Sequence, residues 1–490
     1  MAFSGLFKKE EKKEVNTVEE PKRFNSYIRS YALIKNISYD EAKEYLDKIK
    51  EEYGLTYGKY LNNKLWAYKD PTEALEMAVY RKESKEENYE KFAGTSLNMA
   101  MSDLEEKIAG LKAKYEICQK KLNMENYVDN KLYELDDEAV EQFFIDRERK
   151  EEEELEMVSN LTGWHKGQVK LDITLAQALH GLGRKNYMAC RCWELSHEEM
   201  AGFARDFDSK YVTHHYNEKS GLPILRYKEK FATEYGPFLG RKFWINEEDA
   251  DYDSFLEFID GVKEIFCKPV NMSGGYGAMK FDLQAEDSRK LYDQLMAMPR
   301  YICEECVYQH EDIAKVNSSC LNTLRVVALQ DEKGVHILDI LMRFGNGGLV
   351  DNLSADGMVV HVDKGTGTID TNAFDYAGNA YEKHPISGVK FKGYKLPNWD
   401  KVLSLVEAAT KHRDDINFVG WDVAITQDNA LIIEGNNSPG FGLNQKPYVP
   451  SQEGRRFLFK DYIDPEIYKC ELKVSKRLDK EGKRGHYVFK

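Results

Sequence analysis

Apolar and polar positions alternate in two different ways along this chain, and the change falls near residue 160. Before it, apolar residues recur at steps of three and four, which is the spacing of one face of a helix. We expect the clearest such helix to pack on its neighbours in the same chain, with a homodimer through the N-terminal helices as the alternative. Its apolar positions are Leu104, Ile108, Leu111, Tyr115, Cys118 and Leu122.

Capping patterns mark helix boundaries in the same region. Ser38 and Glu41 have the spacing of a capping box, at the start of a helix that we expect to end at Gly54. The same spacing recurs at 102–105, and residues 137–158 predict a long, charged helix. The first 160 residues are therefore expected to form a helical, charge-rich region, in which we recognise no catalytic motif.

Beyond residue 160, short runs of β-branched and aromatic residues predict strands alternating with helices. We expect helices over 172–182 and 196–207 and a strand over 211–215. Further strands are expected over 264–270, 278–281, 323–329, 336–344, 419–426 and 431–434, with a helix over 399–411.

The composition narrows the class of protein. A length of 490 residues allows two to four domains, and a net charge of −14 argues against wholesale nucleic-acid binding. No apolar run reaches the ~18–20 residues of a transmembrane helix, and the first residues lack the apolar centre of a signal peptide. We interpret the eight cysteines as reduced thiols, and therefore expect a cytoplasmic protein without a transmembrane segment.

Oxygen-bearing side chains converge on one predicted hairpin. Glu434 and Asn436 are two residues apart on the second strand, so they face the same side. Asp422 lies on the first strand, where pairing can bring it alongside. Two carboxylates and an amide oxygen suit Mg²⁺, with Mn²⁺ as an alternative. The competing interpretation is an ordinary hairpin whose turn is polar.

A second predicted hairpin carries a glycine-rich loop after a lysine. Lys268 ends the first strand, and glycines allow backbone N–H groups to approach phosphate oxygens closely. The pattern is neither a Walker A motif nor a Rossmann fingerprint. The candidate nucleotide contacts here are Lys268, Ser273, Gly274, Gly275 and Gly277.

Together these two hairpins resemble a known family. Trp421-Asp422 followed by the segment 434–440 resembles the metal-binding end of ATP-grasp enzymes, in particular the sugar-transfer-associated branch related to α-L-glutamate ligases. The resemblance covers roughly residues 225–445, and one departure is Asp356, which precedes Gly357 where relatives are expected to carry a Gly-Gly pair.

The resemblance implies an α+β fold of the ATP-grasp type, with antiparallel sheets, helices and a nucleotide between two subdomains. The expected divisions are a helical N-terminal region (1–160), a pre-ATP lobe (161–262), the ATP-grasp domain (263–465) and a basic tail (466–490).

The resemblance also implies roles for individual residues. Lys230 is a candidate phosphate contact, and either Glu304 or Glu305 is expected to hold the ribose hydroxyls. Arg325 and Arg343 are candidates to neutralise a γ-phosphate or acyl-phosphate, and which of them does so stays open. A salt bridge from Arg343 to Asp339 or Asp351 is the competing interpretation. Candidate substrate contacts are Asn322, Asn352 and His384.

For the activity, the resemblance implies an ATP-dependent ligase that joins a carboxylate to an amine through an acyl-phosphate. ATP and Mg²⁺ are the implied cofactors, and the carboxylate is expected on a small molecule or a glycan in surface polysaccharide or amino-acid-conjugate synthesis. Two alternatives remain: a kinase that transfers phosphate to a hydroxyl, and a nucleotide-binding adaptor without catalysis.

Overall fold

The computed structural model describes residues 25–463 except 36, 63–64, 66–100, 116, 118–120, 131, 248, 271–277, 299, 377, 438, 440–441 and 452. The chain divides into two compact units, residues 1–79 and 80–490.

The described part of the first unit is a small helical module. Ser38 accepts from the Glu41 N–H while Glu41 caps the Ser38 N–H, and Gly54 ends the helix at φ 66°, as the sequence predicted. The rings of Tyr31, Tyr45 and Tyr60 contact one another, and Tyr31 and Tyr60 are buried while Tyr45 is exposed. Its helices are α1 (Ser26–Lys35), α2 (Tyr39–Tyr53) and α3 (Tyr57–Asn62).

The second unit begins with further helices. In α4 (Met101–Tyr115) the predicted apolar seam packs within the chain, since Leu104, Ile108 and Leu111 share a core with the start of α6. Ser102 lies inside α4 rather than capping it, so the second capping box was a wrong prediction. The helices that follow are α5 (Met124–Asp129), α6 (Asp137–Thr162), α7 (Lys166–His180), α8 (Arg184–Ala189), α9 (His197–Gly202) and α10 (Asp206–Tyr216).

One helical motif occurs three times, which the sequence analysis missed. In each copy a 15-residue helix (α2, α4 or α7) precedes a six-residue helix (α3, α5 or α8). Each copy buries an apolar residue, a tyrosine and another apolar residue at five-residue steps. These triplets are Leu55, Tyr60 and Leu65; Leu122, Tyr127 and Leu132; and Leu182, Tyr187 and Cys192.

Helix α6 connects the second and third copies. Val140 and Phe144 near its start pack into the core of the second copy. Val158 near its end packs into the core of the third, with Leu155 beside it. The expected domain boundary at residue 160 therefore lies inside α6, a helix whose two ends each pack into a different apolar core.

Two antiparallel sheets follow the helices. The smaller has the strand order β1-β4-β2-β3, and the larger has the order β10-β9-β7-β6-β5-β11-β12, with β8 paired to β7. The smaller sheet consists of β1 (Phe243–Ile245), β2 (Glu264–Pro269), β3 (Met279–Asp282) and β4 (Tyr301–Glu305). The larger consists of β5 (Thr323–Asp331), β6 (Gly334–Phe344), β7 (Met358–Asp363), β8 (Thr368–Ile369), β9 (Ala373–Phe374), β10 (Ala380–Tyr381), β11 (Phe418–Ile425) and β12 (Ala430–Asn436).

Helices cover each sheet and bury its apolar face. The small sheet shares a core with α14 and α15, and the large sheet shares one with α11, α12, α13 and α17. The antiparallel arrangement agrees with the predicted fold class. The remaining helices are α11 (Leu222–Arg226), α12 (Lys228–Glu234), α13 (Gly236–Leu239), α14 (Tyr252–Ile259), α15 (Ser288–Met296), α16 (Glu311–Val316), α17 (Trp399–Thr410) and α18 (Gly442–Gln445).

The strand predicted over 211–215 is wrong, because these residues belong to α10. The run Tyr-Val-Thr has the composition of a strand, but Ser209, Thr213 and Asn217 recur at four-residue steps and are all buried. That polar periodicity is helical, and it outweighs local β-propensity because it faces a buried surface. The predicted tail 466–490 lies outside the described residues.

Candidate active site

A cavity of about 820 Å³ lies between the two sheets. Its walls come from β2 and β4 of the small sheet, from β6, β11 and β12 of the large sheet, and from α12. The charged and amide side chains on its walls include Lys228, Arg241, Lys268, Glu304, Glu305, Arg343, Asp351, Asn352, Asp422, Glu434 and Asn436.

The hairpin of β11 and β12 brings the three predicted metal ligands together. Asp422 pairs directly with Glu434, and Asn436 lies two residues further along β12. The register shifts after Asp422, which places a bulge next to this pair; bulges near active sites re-aim side chains. The Asn436 amide nitrogen donates to the Gly420 carbonyl at 3.1 Å, so the amide oxygen is the atom left to act as a ligand.

Two arginines hold Asp422. Its Oδ1 accepts from Arg325 Nε at 2.5 Å and its Oδ2 accepts from Arg343 Nη2 at 2.8 Å. Burial disfavours the charged carboxylate, but the two guanidinium groups outweigh it and hold the pKa of Asp422 well below its usual range. Burial, and then the Asp422 charge, raise the pKa of Glu434.

The two arginines differ in their access to the cavity. Arg343 lines it, whereas Arg325, the direct cross-strand partner of Asp422, is not among the described lining residues. Of the two competing salt bridges, the structure forms the one to Asp351, at 3.4 Å from Arg343 Nε. Thr323 completes this group by donating its N–H to Asp351 at 2.9 Å.

The loop beyond Asp351 has the conformation that a glycine pair would favour. Asp356 has φ 61°, in the left-handed region. A Cβ at Gly357 would lie 2.4 Å from the Asp351 carbonyl oxygen, so that position requires glycine. Asp356 therefore keeps the loop geometry that a first glycine would supply, and aspartate tolerates this region better than most residues.

Lys268 lies on the cavity wall and forms an ion pair with Glu304. Arg241, which the sequence analysis missed, holds the same carboxylate through Nε at 3.0 Å. Burial opposes the charged form, but Arg241 and Lys268 together lower the pKa of Glu304 to about 2. Because the Glu304 carboxylate is already paired with Arg241 and Lys268, Glu305 is the more available of the two candidate ribose ligands.

The lysine that opens the short helix α12 is Lys228, not Lys230. Lys228 lines the cavity, and its ammonium lies 3.5 Å from the Val270 carbonyl. Burial, and then the nearby Lys268 charge, lower its pKa. Lys230 is exposed, lies over the Tyr227 ring at 4.8 Å and is not among the described lining residues. The start of α12 is the signal that could have identified Lys228.

Two of the three candidate substrate residues are not among the described lining residues of the cavity. Asn322 donates to the Gln309 side chain at 2.8 Å and accepts from the Gly345 N–H at 2.9 Å. His384 Nε2 bonds the Gly345 carbonyl at 2.9 Å. Both are buried and shape the loop after β6 rather than line the cavity, whereas Asn352 does line it.

The expected reduced state of the cysteines is wrong for one pair. Cys267 and Cys303 face each other across β2 and β4 and form a disulfide. Among the residues that the structure describes, no three His, Cys, Asp or Glu side chains are grouped to hold a metal, so a metal at the hairpin needs the Asn436 amide.

One cavity residue comes from far outside the predicted catalytic part. Tyr133, in the short turn Leu132–Glu134 that follows α5, lines the cavity. It occupies the aromatic position that follows the third buried residue of each copy, which is Trp66, Tyr133 or Trp193 in the sequence. Recognition of the repeat could have singled it out. The predicted contacts Ser273, Gly274, Gly275 and Gly277 lie outside the described residues.

Residues 207–456 match the family described as sugar-transfer associated ATP-grasp. This span contains all of the described cavity residues except Tyr133. None of the curated proteins matches the chain. None of the helices that the structure describes has both the length and the apolar character that a membrane span requires.

Several solved structures of ATP-grasp ligases are similar to this chain at low identity. The ligase PsnB, complexed with a phosphomimetic variant of its minimal precursor, Mg and ADP, is 14% identical over 49% of this chain and 61% of its own, with a TM-score of 0.28. D-alanine-D-alanine ligase from Coxiella burnetii is 11% identical over 53% and 61%, with a TM-score of 0.28. L-amino acid ligase from Bacillus licheniformis is 13% identical over 45% and 42%, with a TM-score of 0.27. The chain thus spans about three fifths of PsnB.

Proposed function

Because the chain belongs to the sugar-transfer-associated ATP-grasp family, we propose that it is an ATP-dependent ligase that joins a carboxylate to an amine through an acyl-phosphate. The observation that carries the proposal is the composition of one cavity. Lysines at one wall and the Asp422–Glu434 pair at the other face the same space, with Arg343 beside the carboxylates.

The residues at the hairpin fit Mg²⁺. Mg²⁺ binds through one or two carboxylates and completes its shell with water and phosphate oxygens. Asp422, Glu434 and Asn436 supply two carboxylates and an amide oxygen on one face. When bound, the ion would neutralise phosphate charge between this hairpin and the nucleotide.

The protein's own residues position charge rather than react covalently. Lys228 and Lys268 neutralise phosphate oxygens of ATP, and Arg343 faces the phosphoryl group that is transferred. A substrate carboxylate oxygen attacks the γ-phosphorus, so ADP leaves and an acyl-phosphate forms. The amine then attacks the acyl carbon, phosphate departs with the bonding electrons, and the amine loses a proton to solvent. Such a reaction depends mainly on positioning and electrostatic stabilisation.

Arg325 has a different role in this proposal. It contacts both carboxylate oxygens of Asp422 and is not among the described lining residues, so we assign it as a positioning residue. A volume of about 820 Å³ lies toward the upper end of the roughly 300–1,000 Å³ of ligand pockets, which leaves room for a second substrate beside the nucleotide. That substrate's carboxylate belongs to a small molecule or a glycan.

The test is phosphate release by the full-length protein with Mg-ATP and a panel of amino acids, uronic acids and amines. We expect orthophosphate only when a carboxylate and an amine are both present, and none with Glu434→Gln. ADP formation without orthophosphate, dependent on a hydroxyl compound, would instead indicate a kinase. Nucleotide binding without turnover under any condition would support the adaptor.

A further inference from the structure

Buried polar residues lie along one face of α10 and continue into the residue that follows the helix. Ser209 and Thr213 are four residues apart in α10, so they point to the same side of the helix. Asn217 is the C-cap residue of α10 and has an extended backbone. Each of the three is at most 7% exposed, and together they form a buried polar stripe. The stripe lies against the hairpin that carries Asp422 and Glu434, at its open end.

Asn217 holds the strand that enters the hairpin. Its Oδ1 accepts from the backbone N–H groups of Asn417 and Phe418, each at 2.7 Å. Its Nδ2 donates to the Phe418 carbonyl at 2.8 Å. One side chain therefore fixes the start of β11 through three hydrogen bonds, four residues before Asp422.

Ser209 and Thr213 hold the loop that leaves the hairpin. Ser209 Oγ donates to the Pro439 carbonyl at 2.7 Å. Thr213 Oγ1 shares its one proton between the Ser209 carbonyl at 2.7 Å and the Asn437 carbonyl at 3.2 Å. The loop is seated closely on β11, because a Cβ at Gly420 would lie 2.7 Å from Pro439. Asn437 directly follows the candidate ligand Asn436.

We propose that Ser209, Thr213 and Asn217 are positioning residues for the metal site. Through them, α10 and its C-cap residue hold the start of β11 and the end of β12 in a fixed position relative to each other. This inference rests on the proposed function. Mg²⁺ demands near-ideal octahedral geometry, so a small displacement of Asn436 relative to Asp422 lowers its affinity. A brace that touches both ends of the hairpin controls this displacement, whereas a contact at one strand alone does not.

The experiment compares three variants of the full-length protein: Thr213→Val, Ser209→Ala and the control Thr410→Val. Thr410 is also a buried helical threonine, and it accepts from Trp421 Nε1 of the same hairpin at 2.9 Å. Trp421 directly precedes Asp422 on β11, so its side chain points to the opposite face of the sheet. The measurements are the thermal midpoint without ligand and the Mg²⁺ concentration that gives half-maximal binding of the ATP analogue AMPPNP.

Each buried hydrogen bond contributes about 1 kcal/mol, which corresponds to roughly a fivefold change in an equilibrium constant. We expect Thr213→Val and Ser209→Ala to raise the half-saturating Mg²⁺ concentration about fivefold. Thr410→Val should lower the thermal midpoint and leave the Mg²⁺ requirement unchanged. Thr213→Ser keeps the hydroxyl and should have the half-saturating Mg²⁺ concentration of the wild type. If Thr213→Val does not fold, Thr213→Ser is the variant measured at this position.

The inference is overturned if the α10 variants shift only the thermal midpoint, as the control does, or if Thr213→Ser fails to restore the Mg²⁺ requirement. A wild-type protein that binds AMPPNP without any dependence on Mg²⁺ would be a different result. It would overturn the proposed function, and the inference with it.

Discussion

At the scale of single residues, the site balances opposite charges within a few ångströms. Asp422 lies between two guanidinium groups, and Glu304 lies between Arg241 and Lys268. Buried ion pairs of this kind contribute little net stability, but breaking one strands a charge and is costly. Variants at the site therefore need a measurement of folding beside each measurement of binding.

Glu434→Gln is expected to abolish Mg²⁺-dependent turnover while the protein stays folded. Glutamine keeps the shape of the side chain but not the charge that a metal requires. The thermal midpoint without nucleotide should be at least that of the wild type, because burial and the Asp422 charge both disfavour a carboxylate here. Turnover assays and thermal melts check this, with the surface variant Glu407→Gln as the control. Wild-type turnover in Glu434→Gln would remove the hairpin from the metal site.

Lys228→Ala is expected to weaken ATP binding about ten- to a hundredfold, the effect of one charge-assisted phosphate contact. The thermal midpoint should change little, because the lowered pKa of Lys228 means that its buried charge is disfavoured in the empty site. Lys230→Ala is the matched control and should bind ATP as the wild type does. Calorimetric titration with Mg-ATP distinguishes the two lysines, and the reverse result would return Lys230 to the phosphate site.

Lys268→Ala is expected to weaken ATP binding as well, but with a loss of stability. Its removal leaves Glu304 buried with Arg241 as the remaining cation of this ion-pair group. Breaking a buried pair costs about 3–5 kcal/mol, so the thermal midpoint should fall further than in Lys228→Ala. An unchanged dissociation constant for ATP would exclude Lys268 as a phosphate contact.

At the scale of elements, a buried group of charged side chains connects the segment that follows β12 to the large sheet. Asp339 on β6 accepts from Asn444 in α18 at 2.7 Å and from Arg455 at 2.8 Å. His361 on β7 lies 3.2 Å from the same carboxylate and 2.7 Å from Asp370. These contacts hold the chain beyond β12 against β7 and against β6, the strand that also carries Arg343.

This group predicts a loss of stability at alkaline pH. Burial disfavours the imidazolium, but Asp339 and Asp370 outweigh it and raise the pKa of His361 to about 9, against ~6.5 in an unfolded chain. The folded protein therefore holds the proton more tightly. The stabilisation is complete below about pH 6.5 and is lost as the pH rises through about 9, amounting to at most about 3 kcal/mol.

Urea unfolding at a series of pH values measures this effect. The wild type should lose stability between about pH 6.5 and 9, whereas His361→Gln should start less stable and show a flatter profile. His215→Gln, at an exposed position of α10, is the control and should follow the wild type. Parallel profiles for wild type and His361→Gln would contradict the assignment.

The repeated helical motif has its own prediction at Tyr133. The family match contains the candidate nucleotide and metal residues but not Tyr133, so we expect this ring to contact the second substrate. Tyr133→Ala should raise the KM for that substrate and leave AMPPNP binding unchanged, and Tyr133→Phe should behave as the wild type does if the ring is what matters. Tyr115→Ala, in the same core but not among the cavity-lining residues, is the control. Weaker AMPPNP binding in Tyr133→Ala would place the ring at the nucleotide instead.

At the scale of the whole molecule, the compact units end and begin at residues 79 and 80, and every described residue of the cavity lies in the second unit. We therefore propose residues 80–490 as the catalytic unit. The division at residue 160 would cut α6 and remove Val158 from a core that also contains Val169 and Tyr187. It would also remove Tyr133.

Two truncations test this view. The protein without residues 1–79 is expected to stay soluble and to bind Mg-ATP as the full chain does. The protein without residues 1–160 is expected to aggregate, because it exposes the apolar core that α6 covers. Size-exclusion chromatography with nucleotide titration compares them. A soluble 161–490 fragment with full ATP affinity would restore the simpler two-module division.

The sequence by itself determined the parts of this protein that depend on local periodicity and spacing. The Glu434 and Asn436 pair, the Lys268 strand end and the Ser38 cap follow from the two-residue step of a strand and from capping chemistry, which need no distant partner. The family motifs are also local, which is why the fold class could be predicted over the sheets.

Tertiary structure alone decided which of several equivalent residues reaches the cavity. Lys228 and Lys230 differ by two positions on a helix, so they point in different directions, and only the packing of α12 shows which one faces inward. Packing likewise places Arg343, but not Arg325, among the described lining residues of the cavity. Both Glu304 and Glu305 line the cavity, and only the structure shows that Glu304 pairs with Arg241 and Lys268. The pairing of Cys267 with Cys303 also depends on the neighbouring strands β2 and β4. Helix α10 is the strongest case. Residues 211–215 have the composition of a strand, but they are helical in the structure, where buried polar residues of this helix contact the hairpin. Burial against a distant segment fixes these choices, and a local pattern carries no information about that segment.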